Sequence, residues 1–219
     1  MRSARPRYIA VEGPIGCGKT SLAEILAESM SARLLLDERP QVNPFLGSFY
    51  KDRQRHAMST QLFFLLQRYA QQGELAQGDL FSRGGVVSDY IFAKDRLFAL
   101  LNLSADEMVL YDRIYQMLKP RTVPPDLVVY LQARTEVLLS RVRRRGRDYE
   151  RSIDGPWLEA LAKAYQDFFF HYDETPLLVV NASDIDLEGN PEDLETLLGV
   201  IRKHRKGTQH YVPLGTRTY

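Results

Sequence analysis

Tyr8-Ile-Ala-Val-Glu-Gly-Pro-Ile-Gly-Cys-Gly-Lys-Thr20 is the stretch that decides the fold. Its first five residues form an apolar run that reads as a strand. Gly13 to Thr20 then have the spacing G-x-x-x-x-G-K-[ST] and open an amphipathic helical stretch. In that strand–loop–helix context the glycines let backbone N–H groups turn inward around phosphates. Lys19 supplies a point charge for the β- and γ-phosphates, and Thr20 offers a hydroxyl to Mg²⁺. The following helix directs its positive end at the same place. The expectation is a protein that binds ATP or a close relative.

Working outward, apolar runs alternate with helical patterns, as in a parallel sheet wrapped by helices. Strands are expected near 8–12, 33–36, 85–88, 127–131 and 177–180, giving a five-stranded parallel α/β core. Helices are expected over about 19–30, 45–50 and 54–72. Ser104-Ala-Asp-Glu107 is a capping box that starts another, ending near Lys119 before Pro120. Thr135 is read as the cap of the next, with Asp154 and Asn190 introducing the last two. Such a sheet binds its ligands at the carboxyl ends of its strands.

The chain has 219 residues, which suits one α/β domain. That domain is read as 1–204, with a lid at about 143–153 and a tail at 205–219 that lacks periodicity and is expected to be mobile. Hydrophobic residues make up 44% and charged residues 26%, with a net charge of +1. No global field draws the chain to nucleic acid or to an anionic membrane. The apolar runs, such as Leu62-Phe-Phe-Leu-Leu66, are far too short to span a membrane. There is no apolar signal core at the start. The single cysteine, Cys17, leaves no internal disulfide and fits a reducing cytoplasm; it is read as a small loop residue with no chemistry of its own.

Three constellations surround the loop. The second strand ends in Asp37-Glu38, and the third, Gly84-Gly-Val-Val-Ser88, runs into Asp89. A kinase acting on a hydroxyl needs one carboxylate near that hydroxyl and another near the metal, and these strand ends meet both needs. Arg141-Val-Arg-Arg-Arg-Gly-Arg147 packs five arginines into seven residues, with Gly146 as a hinge. In a phosphotransferase such a segment closes over the triphosphate as a lid. Gln61 and Arg68 lie two helical turns apart on one face, where an amide and a guanidinium can read a base edge.

These residues together resemble the deoxynucleoside kinases, and among them the bacterial deoxyguanosine/deoxyadenosine kinase branch. The resemblance rests on Ile9-Ala-Val-Glu-Gly-Pro-Ile-Gly16, on Glu38 followed by Asn43-Pro-Phe-Leu46 and Phe49-Tyr50, and on Val87-Ser-Asp-Tyr90. The arginine lid and Asp184 through Asp193 complete it, and it covers about residues 8–204. It implies that Glu38 is the general base toward the substrate 5′-hydroxyl. Tyr50 and Glu150 would bind the sugar 3′-hydroxyl, and Gln61, Arg68 and Asp95 the base. Asp89 would hold Mg²⁺ with Thr20. Arg143, Arg145 and Arg147 would reach the phosphates alongside Lys19. ATP would lie among Gly13, Pro14, Ile15, Gly16, Cys17, Gly18, Lys19, Thr20 and Ser21, with the 184–189 loop, including Asp184 and Asp186, flanking the adenine. A homodimer formed through helices packed side by side is implied as well.

One departure stands out. Many members carry Glu-Arg-Ser where this chain has Asp89-Tyr90-Ile91. Tyr90 cannot supply the arginine's charge near the 5′-oxygen, so Lys94 or a lid arginine is expected to do so. Arg68, a pure donor, suits a guanine O6/N7 edge, while Gln61 and Asp95 can accept from an adenine or cytosine amino group. Thymine would leave an ionised Asp95 unpaired. The expected reaction is therefore transfer of the ATP γ-phosphate to a purine deoxynucleoside, with deoxycytidine a further candidate. The alternatives are a monophosphate kinase of the thymidylate kinase type, a non-catalytic relative, and an arginine-rich nucleic-acid binder.

Overall fold

The computed structural model describes residues 8–37, 42–76, 85–185 and 190–213. Among them six strands form one sheet in the order β2-β3-β1-β4-β5-β6: β1 (Tyr8–Glu12), β2 (Arg33–Leu35), β3 (Val86–Ser88), β4 (Leu127–Gln132), β5 (Leu177–Asn181) and β6 (Thr208–Tyr211). Every pairing is parallel. Ile9 faces Val87 on one side and Leu127 on the other, which puts β1 and the loop after it in the middle of the sheet. A parallel sheet is covered on both faces, so its strands read as continuous apolar runs. Tyr8–Glu12 are all buried.

Among the described residues eight α-helices surround the sheet: α1 (Lys19–Met30), α2 (Leu46–Lys51), α3 (Arg53–Ala76), α4 (Lys94–Asn102), α5 (Ala105–Leu118), α6 (Thr135–Arg145), α7 (Gly155–Phe170) and α8 (Pro191–Lys203). Their starts follow the sequence closely where a side chain caps them. Ser104 and Glu107 form a reciprocal capping box on α5. Asp154 accepts from the Trp157 N–H, and Asn190 from the Asp193 N–H. Such caps satisfy backbone donors that have no partner inside the helix. Thr135 is no cap: it is the first helical residue, and Arg134 precedes it without a side-chain cap.

Two elements depart from expectation. The core has six strands rather than five. The sixth, Thr208-Gln-His-Tyr211, lies within the segment read as a tail without periodicity. Three of its four residues are exposed, so no apolar alternation marks it. Backbone pairing with β5 makes it a strand. The other is α4, whose first turn carries Lys94, Asp95 and Arg96 and which has no side-chain cap to announce its start.

Candidate functional site

Two glycines fix the phosphate loop against the body of the protein. Gly13 has φ +149, and a Cβ there would lie 2.4 Å from the Leu131 carbonyl oxygen at the end of β4. Gly16 has φ +88, and its Cβ would meet the Leu138 carbonyl of α6 at 2.7 Å. Both the backbone conformation and the close approach demand glycine. The second contact presses the loop onto the helix that carries the arginines.

Glu12 anchors the base of this loop. Fully buried, it accepts from the N–H of Gly13 (3.0 Å), the N–H of Ile91 (2.9 Å) and the Tyr165 hydroxyl (3.1 Å). One carboxylate thus ties together the start of the phosphate loop, the exit of β3 and α7. The chain reading missed this role. An acid inside a fully apolar strand is its signal, because a buried charge must find partners.

The loop lysine is held ready. Lys19 Nζ donates to the carbonyls of Gly13 (2.8 Å) and Pro14 (3.1 Å). Thr20 at the head of α1 donates to Asp89 Oδ2 (2.7 Å), and the other Asp89 oxygen accepts from the Asp37 N–H (2.5 Å). A hydroxyl beside a carboxylate is an oxygen donor set of the kind Mg²⁺ takes, with water and phosphate completing its shell. Among the described residues no group of three or more His, Cys, Asp or Glu could hold a metal ion. Cys17 is buried, and burial pushes its thiol pKa up, in keeping with a packing role.

Two cavities meet at this loop. The first, of about 880 Å³, is lined by Gly16, Cys17, Gly18, Ser21, Arg141, Arg144, Arg145, Asp184 and Ile185. The second, of about 680 Å³, is lined by Ile15, Gly16, Lys19, Thr20, Asp37, Tyr50, Thr60, Gln61, Arg68, Asp89, Lys94, Arg145, Arg147 and Glu150, among others. Both fall in the size range of nucleotide and cofactor pockets. Gly16 and Arg145 belong to the walls of both.

The lid arginines divide between them. Arg145 holds the buried Glu150 with two hydrogen bonds (2.6 and 3.1 Å), and Arg147 lies 3.7 Å from the same carboxylate. Gly146 ends α6 in the left-handed conformation, φ +69. Arg143, Arg144 and Arg145 are all exposed, but Arg143 lines neither cavity, whereas Arg141 and Arg144 line the first. Residues 141, 144 and 145 share one helical face, a spacing that separates the inward arginines from the outward one.

At the far end of the second cavity lies a buried charge cluster. Arg68 donates through Nε and Nη2 to Asp37 (both 2.9 Å) and through Nη1 to Asp95. Lys94 Nζ also donates to Asp37 (2.8 Å). Burial alone would raise the Asp37 pKa, but Arg68 and Lys94 outweigh it and hold the carboxyl well below the usual range. Burial works against charge on Lys94 too, yet Asp37 and Glu12 more than offset it and its pKa rises. Asp95 is completely buried: it accepts from Arg68 and from the Tyr111 hydroxyl (2.9 Å) and does not line the cavity. Its carboxylate anchors Arg68 on one side and accepts from α5 on the other. Tyr90 is also buried, with its hydroxyl donating to Gln71 (2.7 Å), away from the phosphate loop. Gln61 Oε1 and Thr60 Oγ1 are buried cavity-wall atoms without a hydrogen-bond partner. Glu38 and Asp186 lie outside the described residues.

A phosphate loop shared by two cavities is the layout of a phosphotransferase, and residues 9–205 match the family model described as deoxynucleoside kinase. The chain belongs to the deoxynucleoside kinase family. A deoxyguanosine kinase of Bacillus subtilis is 30% identical over 200 residues, covering 90% of this chain and 96% of the relative. A deoxyadenosine kinase of Lactobacillus acidophilus is 29% identical over 198 residues, covering 84% and 89%. In fold, the chain is similar to a deoxyadenosine kinase from M. mycoides solved with the products dCMP and a flexible dCDP bound. The TM-score is 0.75 at 24% identity, over 89% of this chain and 96% of that one. No helix among the described residues is long and apolar enough to cross a membrane.

Proposed function

We propose that this family member transfers the γ-phosphoryl group of ATP to the 5′-hydroxyl of a purine deoxynucleoside, deoxyguanosine or deoxyadenosine, with deoxycytidine a weaker acceptor. The reaction would serve nucleotide salvage in the cytoplasm. The observation that carries this reading is that the two cavities share Gly16 of the phosphate loop and Arg145 of the lid, with Lys19 and Thr20 in the wall of the smaller one. The larger one suits the donor and the smaller the acceptor.

In this reading ATP lies along Gly13–Ser21, with its adenine toward Asp184 and the residues after it. Thr20, and Asp89 mainly through water, would hold Mg²⁺, and the ion would supply charge stabilisation to the phosphate oxygens. Lys19, Arg145 and Arg147 face the transferring group. Glu38 takes the proton of the 5′-hydroxyl. Its neighbour Asp37 is already pinned by two cations and makes a poor proton acceptor, which favours Glu38 for the task. Tyr50 and Glu150 bind the 3′-hydroxyl.

The base meets Gln61 and Arg68. A guanidinium has five N–H donors, and three of those on Arg68 go to Asp37 and Asp95. The remaining donors suit purine ring acceptors, and the unpartnered Gln61 carbonyl accepts from an amino or imino group. Asp95 acts through Arg68.

A homodimer also belongs to this reading. Val109, Leu110 and Met117 on α5 and Leu66 on α3 are more than half exposed, an apolar face that a second copy would cover.

Purified protein incubated with Mg-ATP and, separately, dG, dA, dC, dT and dTMP tests the proposal. Monophosphate from dG or dA is expected. Product from dTMP alone would move the assignment to a monophosphate kinase, and no product from any acceptor would remove the catalytic reading.

A further inference from the structure

Lys94 is a charged side chain in a place that costs free energy to occupy. The residue is 6% exposed, and its ammonium has three N–H donors. Among the described residues Asp37 is the one hydrogen-bond acceptor, at 2.8 Å, and the Phe98 ring lies 6.0 Å from the ammonium. An ammonium at a cavity wall with donors beyond its one carboxylate partner can serve an acceptor placed in that cavity. This side chain lies in the wall of the smaller cavity, together with Lys19, Thr20 and Asp89. Glu12 at the base of the phosphate loop and Asp89 at the end of β3 both act on its charge.

The surroundings fix the lysine and leave its partner replaceable. Glu12 grips the Ile91 N–H and so sets the loop that leads into α4 at Lys94. Asp37 does not depend on Lys94, since Arg68 already holds both of its oxygens. The ammonium can turn from Asp37 toward a new acceptor without stranding a bare carboxylate.

We propose that Lys94 is a catalytic cation of the acceptor side, donating to the 5′-oxygen and to the transferring phosphoryl group. The inference rests on the kinase reading given above. In the step itself, the 5′-oxygen forms its bond to the γ-phosphorus with its own electron pair. The bond from phosphorus to the bridging oxygen breaks, and that pair leaves on ADP. The hydroxyl proton passes to the carboxylate assigned as base. Negative charge on the transferring oxygens then lies between Lys19 on the loop side and Lys94 on the acceptor side, and fixed charges of this kind act most strongly where water is excluded.

The test is turnover and binding by Lys94→Met against the wild type. The expected result is a kcat lower by about 100-fold or more, the usual range for losing one such stabilising group. The Kd for Mg-ATP and the deoxynucleoside KM should stay within about threefold. A folded K94M protein with near-normal kcat overturns the assignment. Should K94M fail to fold, Asp37→Asn is compared with the Asp37→Asn, Lys94→Met double variant, in which the pair is removed together. Equal kcat in those two proteins overturns it as well. A wild-type protein that phosphorylates no deoxynucleoside removes the kinase reading itself, a result distinct from either.

Discussion

Arg145 donates two hydrogen bonds to Glu150, at 2.6 and 3.1 Å, across the left-handed bend at Gly146. The helix that carries the arginines is thereby latched to the acceptor cavity by a carboxylate that is itself buried. Substituting Glu150→Gln keeps the shape and removes the charge. Charge-assisted hydrogen bonds contribute about 1.5–3 kcal/mol each. The deoxynucleoside KM should therefore rise about tenfold or more, while the Kd for Mg-ATP moves less than about threefold. Steady-state kinetics with isothermal titration separate the two, and an unchanged KM would exclude Glu150 from substrate binding.

Glu38→Gln should lower kcat by about two to four decades, the range expected when a general base is lost. ATP affinity should hardly change. Near-normal turnover in this variant would remove Glu38 as the base.

Asp95→Ala removes a completely buried partner of Arg68 and of the Tyr111 hydroxyl. Breaking a buried ion pair from one side costs about 3–5 kcal/mol. For a chain of this size the melting temperature should fall by at least about 6 °C. Relative kcat/KM among dG, dA and dC should shift too, because Arg68 loses one of its two anchors. Thermal unfolding and a base panel read the two effects, and a variant as stable as the wild type would refute the positioning role.

Asp37 gives the protein a pH dependence with a definite sign. Its folded pKa lies below the unfolded value of about 3.9, because Arg68 and Lys94 favour the carboxylate. Below pH 4 the unfolded chain therefore binds more protons than the folded one. Stability from this group is fully present above about pH 4–5 and is lost as pH falls further. Urea midpoints measured from pH 6 down to pH 3 should drop more steeply in the wild type than in Asp37→Asn. Parallel curves would mean that the pair contributes nothing to folding.

Much of this was legible in the chain because the informative residues are local. The phosphate loop is contiguous, and the capping box at Ser104 and the caps at Asp154 and Asn190 announce their helices directly. What escaped the sequence depends on partners far along the chain. Thr208–Tyr211 becomes a strand only because β5 offers an edge. That Asp95 anchors Arg68 and accepts from Tyr111 shows only once α3 and α5 are folded beside it. Glu12 reads as one residue of an apolar run until Tyr165 and Ile91 arrive from elsewhere in the fold. Arg141 and Arg144 hid in a cluster where composition points to a lid but only helical phase says which side chains face inward.

The shared wall at Arg145 and Gly16 has a further consequence. A guanidinium that borders both chambers cannot be repositioned by one occupant without altering the other's surroundings. Donor and acceptor should therefore report on each other at equilibrium: whatever factor ATP imposes on nucleoside affinity, the nucleoside must impose on ATP.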